Sequence, residues 1–274
     1  MTVRQERIKL AIAGLGAIGL AVARRIDAGD VPGLVLVAAA VRDEAKARNA
    51  TAGFHTPPRI VALSALADAG DVILECLPAQ HFLDVARPAV ARGRTLMPLS
   101  VGALIDHMQL VDIARETGAR IIVPTGALLG LDAVRAAAEG KITSATIITR
   151  KPPAGLAGAP LLIKRGLSVE GLTEPLQVFA GSAREAIAGF PANVNVAVAL
   201  SLAGIGPDRT KVEVWADPRV TRNTHTVSLR SDSSDLTMTI ENIPDLDNPR
   251  TGRITALSVL AALRRLTSPL VVGS

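Results

Sequence analysis

The stretch IKLAIAGLGAIG at residues 8–19 constrains this chain more than any other. The apolar residues Ile8, Leu10, Ala11, Ile12 and Ala13 run up to Gly14, and Gly14, Gly16 and Gly19 then follow the spacing G-x-G-x-x-G. Behind them Ile18, Val22 and Ile26 recur at helical spacing, which predicts strand, tight turn and helix in that order. Gly14 permits the sharp turn, Gly16 admits a pyrophosphate close to the backbone, and Gly19 lets the helix pack against the strand. The helix start offers free N–H groups and partial positive charge to phosphates. The layout points to a dinucleotide held by Gly14, Gly16, Ala17, Ile18 and Gly19.

The following segments keep the same grammar. Strands are expected at 34–41, 71–77, 95–99 and 119–123, with helices at 43–52, 63–69, 82–92 and 106–117 between them. Strands alternating with helices predict βαβ units and a mostly parallel sheet. The second strand ends Val41-Arg42-Asp43. Arg42 suits a 2′-phosphate and Asp43 a ribose hydroxyl, or both simply begin the next helix, so NAD and NADP both stay open. Glu75 and Cys76, at the end of the third strand, are expected to line the cofactor cleft.

After Pro124 the pattern changes. Helices are expected at 131–139, 182–188 and 192–202, a strand at 144–149, and a loop-like stretch at 154–171. Three segments of period two follow, carried by Val212, Val214 and Ala216, by Val227 and Leu229, and by Leu236, Met238 and Ile240. They predict an antiparallel sheet with one covered face. The last helix, at about 252–266, is expected to return to the first domain. The fold class is therefore α/β: a Rossmann dinucleotide-binding domain of residues 1–123 plus 252–274, and a smaller α+β substrate and oligomerisation domain of residues 124–251.

Composition narrows the function classes. With four Phe, one Trp and no Tyr among 274 residues, the chain lacks stacking platforms for single-stranded nucleic acid. Its net charge of +5 comes without a long basic run, which suits small anions rather than nucleic acid. The single cysteine, Cys76, excludes an intrachain disulfide and a cysteine metal cluster, and no His/Cys/carboxylate spacing suggests a metal. No apolar stretch is long enough to span a bilayer, and the charged start MTVRQERIK leaves no room for a signal peptide, so the expected compartment is the cytoplasm.

Few residues of the second half carry chemistry. His225, in NTHT at a strand start, shares a face with Val227 and Leu229. It reads as a core histidine or as a general acid/base at a strand end, and spacing alone favours the former. Asn193 and Asn195 lie after Phe190-Pro191 at a helix start, where an amide caps the helix or holds a ligand. Thr125-Gly126-Ala127 and Ser100-Val101-Gly102-Ala103 follow strands, as tight connections or as the border of a pocket.

The assembled pattern resembles the L-aspartate dehydrogenase family over essentially the whole length. The resemblance rests on GLGAIG at 14–19, LSVGALID at 99–106, PTGALLGLDAVRAAAEG at 124–140 and TRKPP at 149–153. It continues through GSAREAIAGFPANVNVAVALSLAGIG at 181–206, ADPRVTRNTHTV at 216–227 and NPRTG from 248. It implies NAD(P)-dependent oxidation of L-aspartate to iminoaspartate, which hydrolyses to oxaloacetate and ammonia, a reaction linked to NAD biosynthesis. It also implies an oligomer, expected as a homodimer, a catalytic role for His225, and cofactor contacts from Ala127 and Asn193. Asn195, Arg222, Lys151 and Lys164 are the candidates for the substrate carboxylates. Val41-Arg42 departs from the acidic strand end expected for strict NAD use, and CLPAQH at 76–81 departs from the small residues expected there. A related amino or hydroxy acid, or nucleotide binding without turnover, are the alternatives.

Overall fold

A computed structural model describes residues 6–190, 194–245 and 252–273. The chain divides into two compact units, residues 1–124 with 256–271, and residues 125–255 with 272–274.

The first unit runs β1 (Ile8–Ala13), α1 (Ala17–Asp27), β2 (Leu34–Ala40), α2 (Glu44–Thr51), β3 (Arg59–Ile60), α3 (Leu66–Ala69), β4 (Val72–Glu75), α4 (Phe82–Ala91), β5 (Thr95–Pro98), α5 (Val101–Ile105), α6 (Gln109–Thr117) and β6 (Arg120–Ile121). All its strand pairs are parallel, in the order β3-β2-β1-β4-β5-β6. The order reverses on either side of β1, which puts the glycine turn at the switch point where such sheets bind ligands. Buried on both faces, the central strands are almost wholly apolar: Leu10, Ile12, Leu36, Leu74 and Met97 form one cluster with Val22 and Ile26 of α1.

The second unit runs α7 (Leu131–Ala138), β7 (Ile142–Lys151), α8 (Pro160–Arg165), β8 (Leu176–Ser182), α9 (Ala183–Gly189), α10 (Asn195–Ala203), β9 (Lys211–Ala216), β10 (Thr224–Ser231) and β11 (Asp235–Glu241). Its sheet has the order β11-β10-β7-β9-β8. The expected antiparallel sheet is in fact mixed, because β7 and β9 pair in parallel. Helix α10 buries Val196, Ala197, Val198, Ala199, Leu200 and Ser201 in succession, the composition of a helix enclosed on every side. A capping box of Ser182 and Glu185 starts α9.

The chain then forms α11 (Ile254–Arg265), whose Val259, Leu260 and Leu263 join the core of the first unit. Arg264 donates to the Asp30 carbonyl at 2.5 Å and the Thr267 hydroxyl to the Pro32 carbonyl at 2.8 Å, which tie the segment to the loop before β2.

Four local expectations need correction. Residues 101–105 form a helix of their own rather than a connection, α8 occupies part of the stretch read as loop, and β3 and β8 are additional strands. Strand β8 carries a register irregularity between Gln177 and Phe179, so its sequence lacks a clean period of two.

Candidate functional site

In the first unit the site begins at the glycine turn. Gly14 has φ 94°, and a Cβ on it would stand 2.9 Å from the Cys76 carbonyl oxygen. A Cβ on Gly19 would overlap the Gly14 carbonyl oxygen, so only glycine lets α1 begin against the turn. Gly16 is different, because nothing lies within 4 Å of where its Cβ would be. Gly16 is the N-cap of α1, no side chain caps that end, and no acidic residue stands in the first turn. The first N–H groups keep their partial positive charge for an anion, and the space beside Gly16 lets one approach. The turn, with Ala17 and Ile18 half-buried in it, fits a dinucleotide pyrophosphate.

At the end of β2 the two polar candidates separate. The Asp43 carboxylate accepts the Lys46 N–H at 2.9 Å as the N-cap of α2. Arg42 is exposed and makes no ion pair among the described residues. The strand end thus presents a free cation, while its acid is engaged by the helix.

Glu75, at the end of β4, is fully buried and does not line an open cleft, which corrects the expectation for it. One carboxylate oxygen accepts from the Leu77 N–H at 2.8 Å and the Ser100 hydroxyl at 3.1 Å. The other accepts from the N–H groups of Ser100 at 3.0 Å and Leu99 at 3.2 Å. Burial pushes its pKa up, and the four donors pull against that. The side chain clamps together the chain leaving β4 and the chain leaving β5. Beside it, burial and the Glu75 charge hold the Cys76 thiol well above its ordinary value, so it is no nucleophile.

In the second unit the polar residues gather on the covered face of the sheet. His225 of β10 stands directly opposite Thr149 of β7, and the Thr149 Oγ1 lies 2.9 Å from His225 Nδ1. Lys151 follows two residues after Thr149 on the same face. His225, Thr149 and Lys151 are 2%, 3% and 5% exposed. Toward the other end of these strands the same face is apolar, with Ala145, Ile147, Val227 and Leu229. Burial lowers the His225 pKa to about 3, helped by the Lys151 charge, so the imidazole expected to titrate near neutrality is neutral there. Burial alone lowers Lys151 to about 8.

Ala127 lies in a turn closed by the Leu128 N–H to the Thr125 carbonyl at 3.1 Å, with Gly126 at φ 65°. The Ala127 carbonyl accepts the Asn242 side-chain amide at 3.0 Å. Asn195 is the first residue of α10, while Asn193 lies outside the described residues. Arg222 is exposed, three residues before His225. Lys164 is exposed on α8, so the structure does not bring it onto the sheet face with His225 and Lys151. Thr149, Asn242 and the clamp made by Glu75 escape the sequence reading. The alternation Ala145, Ile147, Thr149, Lys151 is the one signal that could have placed Thr149.

The family model "Aspartate dehydrogenase, C-terminal" matches residues 132–266. The chain is 52% identical to the L-aspartate dehydrogenase of Bradyrhizobium diazoefficiens, over 98% of this chain and 95% of that one. The chain belongs to the L-aspartate dehydrogenase family. A second member, L-aspartate dehydrogenase 3 of Bordetella bronchiseptica, is 51% identical over 98% of this chain and 99% of its own. The crystal structure of aspartate dehydrogenase from Thermotoga maritima shares the fold of this family member, with TM-score 0.72 and 24% identity over 97% of this chain and 100% of that one. Residues 14–124 match the model "Homoserine dehydrogenase, NAD binding domain". The chain is an oxidoreductase with NAD or NADP as its cofactor. Among the described residues no group of His, Cys, Asp and Glu could hold a metal ion, and no helix is long and apolar enough to cross a membrane.

Proposed function

We propose that this chain catalyses the NAD(P)-dependent oxidation of L-aspartate to iminoaspartate, which hydrolyses to oxaloacetate and ammonia, and that the reaction feeds NAD biosynthesis. The observation that carries the reading is 52% identity over almost the full chain to an L-aspartate dehydrogenase. The division of labour follows the sequence: residues 1–123 plus 252–274 bind cofactor, and 124–251 supply the substrate residues and the homodimer contact. A cytoplasmic enzyme fits a chain with one half-buried cysteine and no disulfide.

The nicotinamide, when bound, exchanges a hydride with the substrate Cα. The residues of the chain do the rest. The turn at Gly14, Gly16, Ala17, Ile18 and Gly19 holds the pyrophosphate, and Ala127 and Asn193 hold the nicotinamide end. Lys151 meets a substrate carboxylate, with Asn195 and Arg222 as further partners and Lys164 the weakest candidate by its position. His225 acts on the reacting nitrogen or on the water that attacks the imine. Its buried place beside Lys151, on a face that is apolar toward its other end, supports that role, since a neutral imidazole and an ammonium are a selective pair for an anionic substrate. The exposed Arg42 supports use of NADPH alongside NADH.

The test is consumption of NADH and NADPH with oxaloacetate plus ammonia, and the reverse reaction with L-aspartate. Ammonia-dependent turnover that L-aspartate reproduces in reverse is the expected result. Turnover only with another oxo acid would reject aspartate as substrate, and tight cofactor binding with no turnover on any acid would reject the enzyme itself. Replacing His225 with Ala should leave cofactor affinity intact and lower kcat by about a hundredfold or more. Near-normal turnover in that variant would remove His225 from the chemistry.

A further inference from the structure

The hydrogen bond between Thr149 and His225 has a direction that the buried surroundings decide. A hydroxyl carries one donor, and a neutral imidazole carries one donor nitrogen and one acceptor nitrogen. Thr149 is 3% exposed, and its hydroxyl makes one hydrogen bond, to Nδ1 of His225. A buried donor left unmade is the costly choice, whereas an unused acceptor lone pair on the same oxygen is cheap. The O–H therefore donates and Nδ1 accepts. The ring proton then stands on Nε2, which makes no hydrogen bond to any described residue. Either arrangement leaves one donor without a partner in the protein: the enclosed Thr149 O–H, or the Nε2–H. The Nε2 nitrogen is not among the described side-chain atoms that are both enclosed and without a partner, so it can be met by water or substrate, which makes leaving the Nε2–H the cheaper. Burial and the neighbouring Lys151 keep a second proton off the ring.

We infer that the Thr149 hydroxyl holds His225 as the Nε2–H tautomer, so that His225 meets the substrate as a neutral hydrogen-bond donor and not as the base that takes a proton from it. The inference rests on the proposed function for the identity of the substrate, and it makes Thr149 a positioning residue. A donor at Nε2 beside the Lys151 ammonium selects oxygen: a carboxylate, or the carbonyl of an oxo acid. In the direction of amination, the ammonia lone pair forms the new C–N bond and the C–O π pair moves onto oxygen. The Nε2–H stabilises the charge that develops on that oxygen, and a proton then passes from the added nitrogen to it. In the direction of deamination, the same donor receives the oxygen as the carbonyl re-forms and ammonia leaves.

The first experiment reads the tautomer directly, from the ring-nitrogen and ring-proton NMR correlations of the 15N-labelled protein at neutral pH. The chain has four histidines, and His225→Asn identifies the signals of His225 by their loss. An unprotonated Nδ1 and a protonated Nε2 are expected, and a protonated Nδ1 overturns the inference. This readout needs neither cofactor nor turnover, so it stands even if oxaloacetate proves not to be the substrate. The second experiment compares Thr149→Val, which keeps the shape and removes the hydroxyl, with Thr149→Ser, which restores it. Thr149→Val should lower kcat for oxaloacetate plus ammonia on the order of tenfold, with the NADH dissociation constant unchanged, and Thr149→Ser should recover most of the loss. Equal impairment in both variants would show that the hydroxyl is not the agent and would overturn the inference.

Discussion

Lys151 makes the stability of the fold depend on pH. The residue is 5% exposed, and burial brings its pKa from 10.5 to about 8. Below pH 8 both the folded and the unfolded chain hold the proton, and the burial that lowers the pKa weighs on the folded ammonium. Between that value and 10.5 the folded amine is neutral while the unfolded chain still binds the proton, so this residue's contribution to stability rises with pH across that window. Replacing Lys151 with Met should flatten the rise of stability between pH 8 and 10.5, while KM for oxaloacetate rises by on the order of a hundredfold. Thermal unfolding and steady-state kinetics on one preparation read both. In the unaltered protein, KM for oxaloacetate should climb as pH passes 8, where the ammonium is lost, with KM for NADH flat. At the end of β2, Arg42→Ala should raise KM for NADPH and leave KM for NADH unchanged, since only the former has a 2′-phosphate to lose. Val227 and Leu229 set the covered face of His225, but it was the family resemblance and not that spacing that made it a catalytic candidate. Thr149 was not legible as one, because its meaning comes from the register that puts it opposite His225, and no local pattern encodes a register between strands 76 residues apart.

At the scale of elements, Gly16 and Gly19 separate binding from folding. Gly16→Ala should leave Tm near its original value and weaken dinucleotide binding, because its Cβ meets nothing in the protein. Gly19→Ala should destabilise the apoprotein itself, because the new Cβ runs into the Gly14 carbonyl and pushes α1 off the sheet. Titration with NADH and thermal unfolding of the two variants test the pair. Glu75 gives a third contrast. Three backbone N–H groups face its carboxylate, and the Ser100 hydroxyl is shared with the Leu77 carbonyl, so Glu75→Gln turns an amide N–H toward a donor on either side and should cost about 2 kcal/mol or more in urea unfolding. The strands and helices of the first unit could be read in order because each is a buried run or a helical period bounded by a turn. Helix α5 is too short to display a period, and the bulge in β8 breaks the one it has. The parallel pairing of β7 with β9 is equally hidden, since two strands of alternating residues look the same whichever way they are joined.

For the whole molecule, the first unit is built from two stretches of sequence that lie far apart. The alternation of strands and helices announced its sheet, and the apolar spacing of α11 announced a buried helix, but nothing local says which core that helix enters. Its Leu263 is fully buried against the cluster of β1, β2, β4 and α1. Leu263→Ala should therefore cost about 2–5 kcal/mol, and the loss should appear in the cofactor-binding unit, as a lower melting temperature that added NADH partly restores. The same connectivity sets a timetable at the ribosome. Residues 8–121 emerge with every strand of their sheet present, and about 140 more residues must be added before Val259 and Leu263 complete the cluster that holds Val22, Ile26 and Leu36. At about 5–20 residues per second that is a wait on the order of ten seconds, during which part of the core of the sheet has no cover.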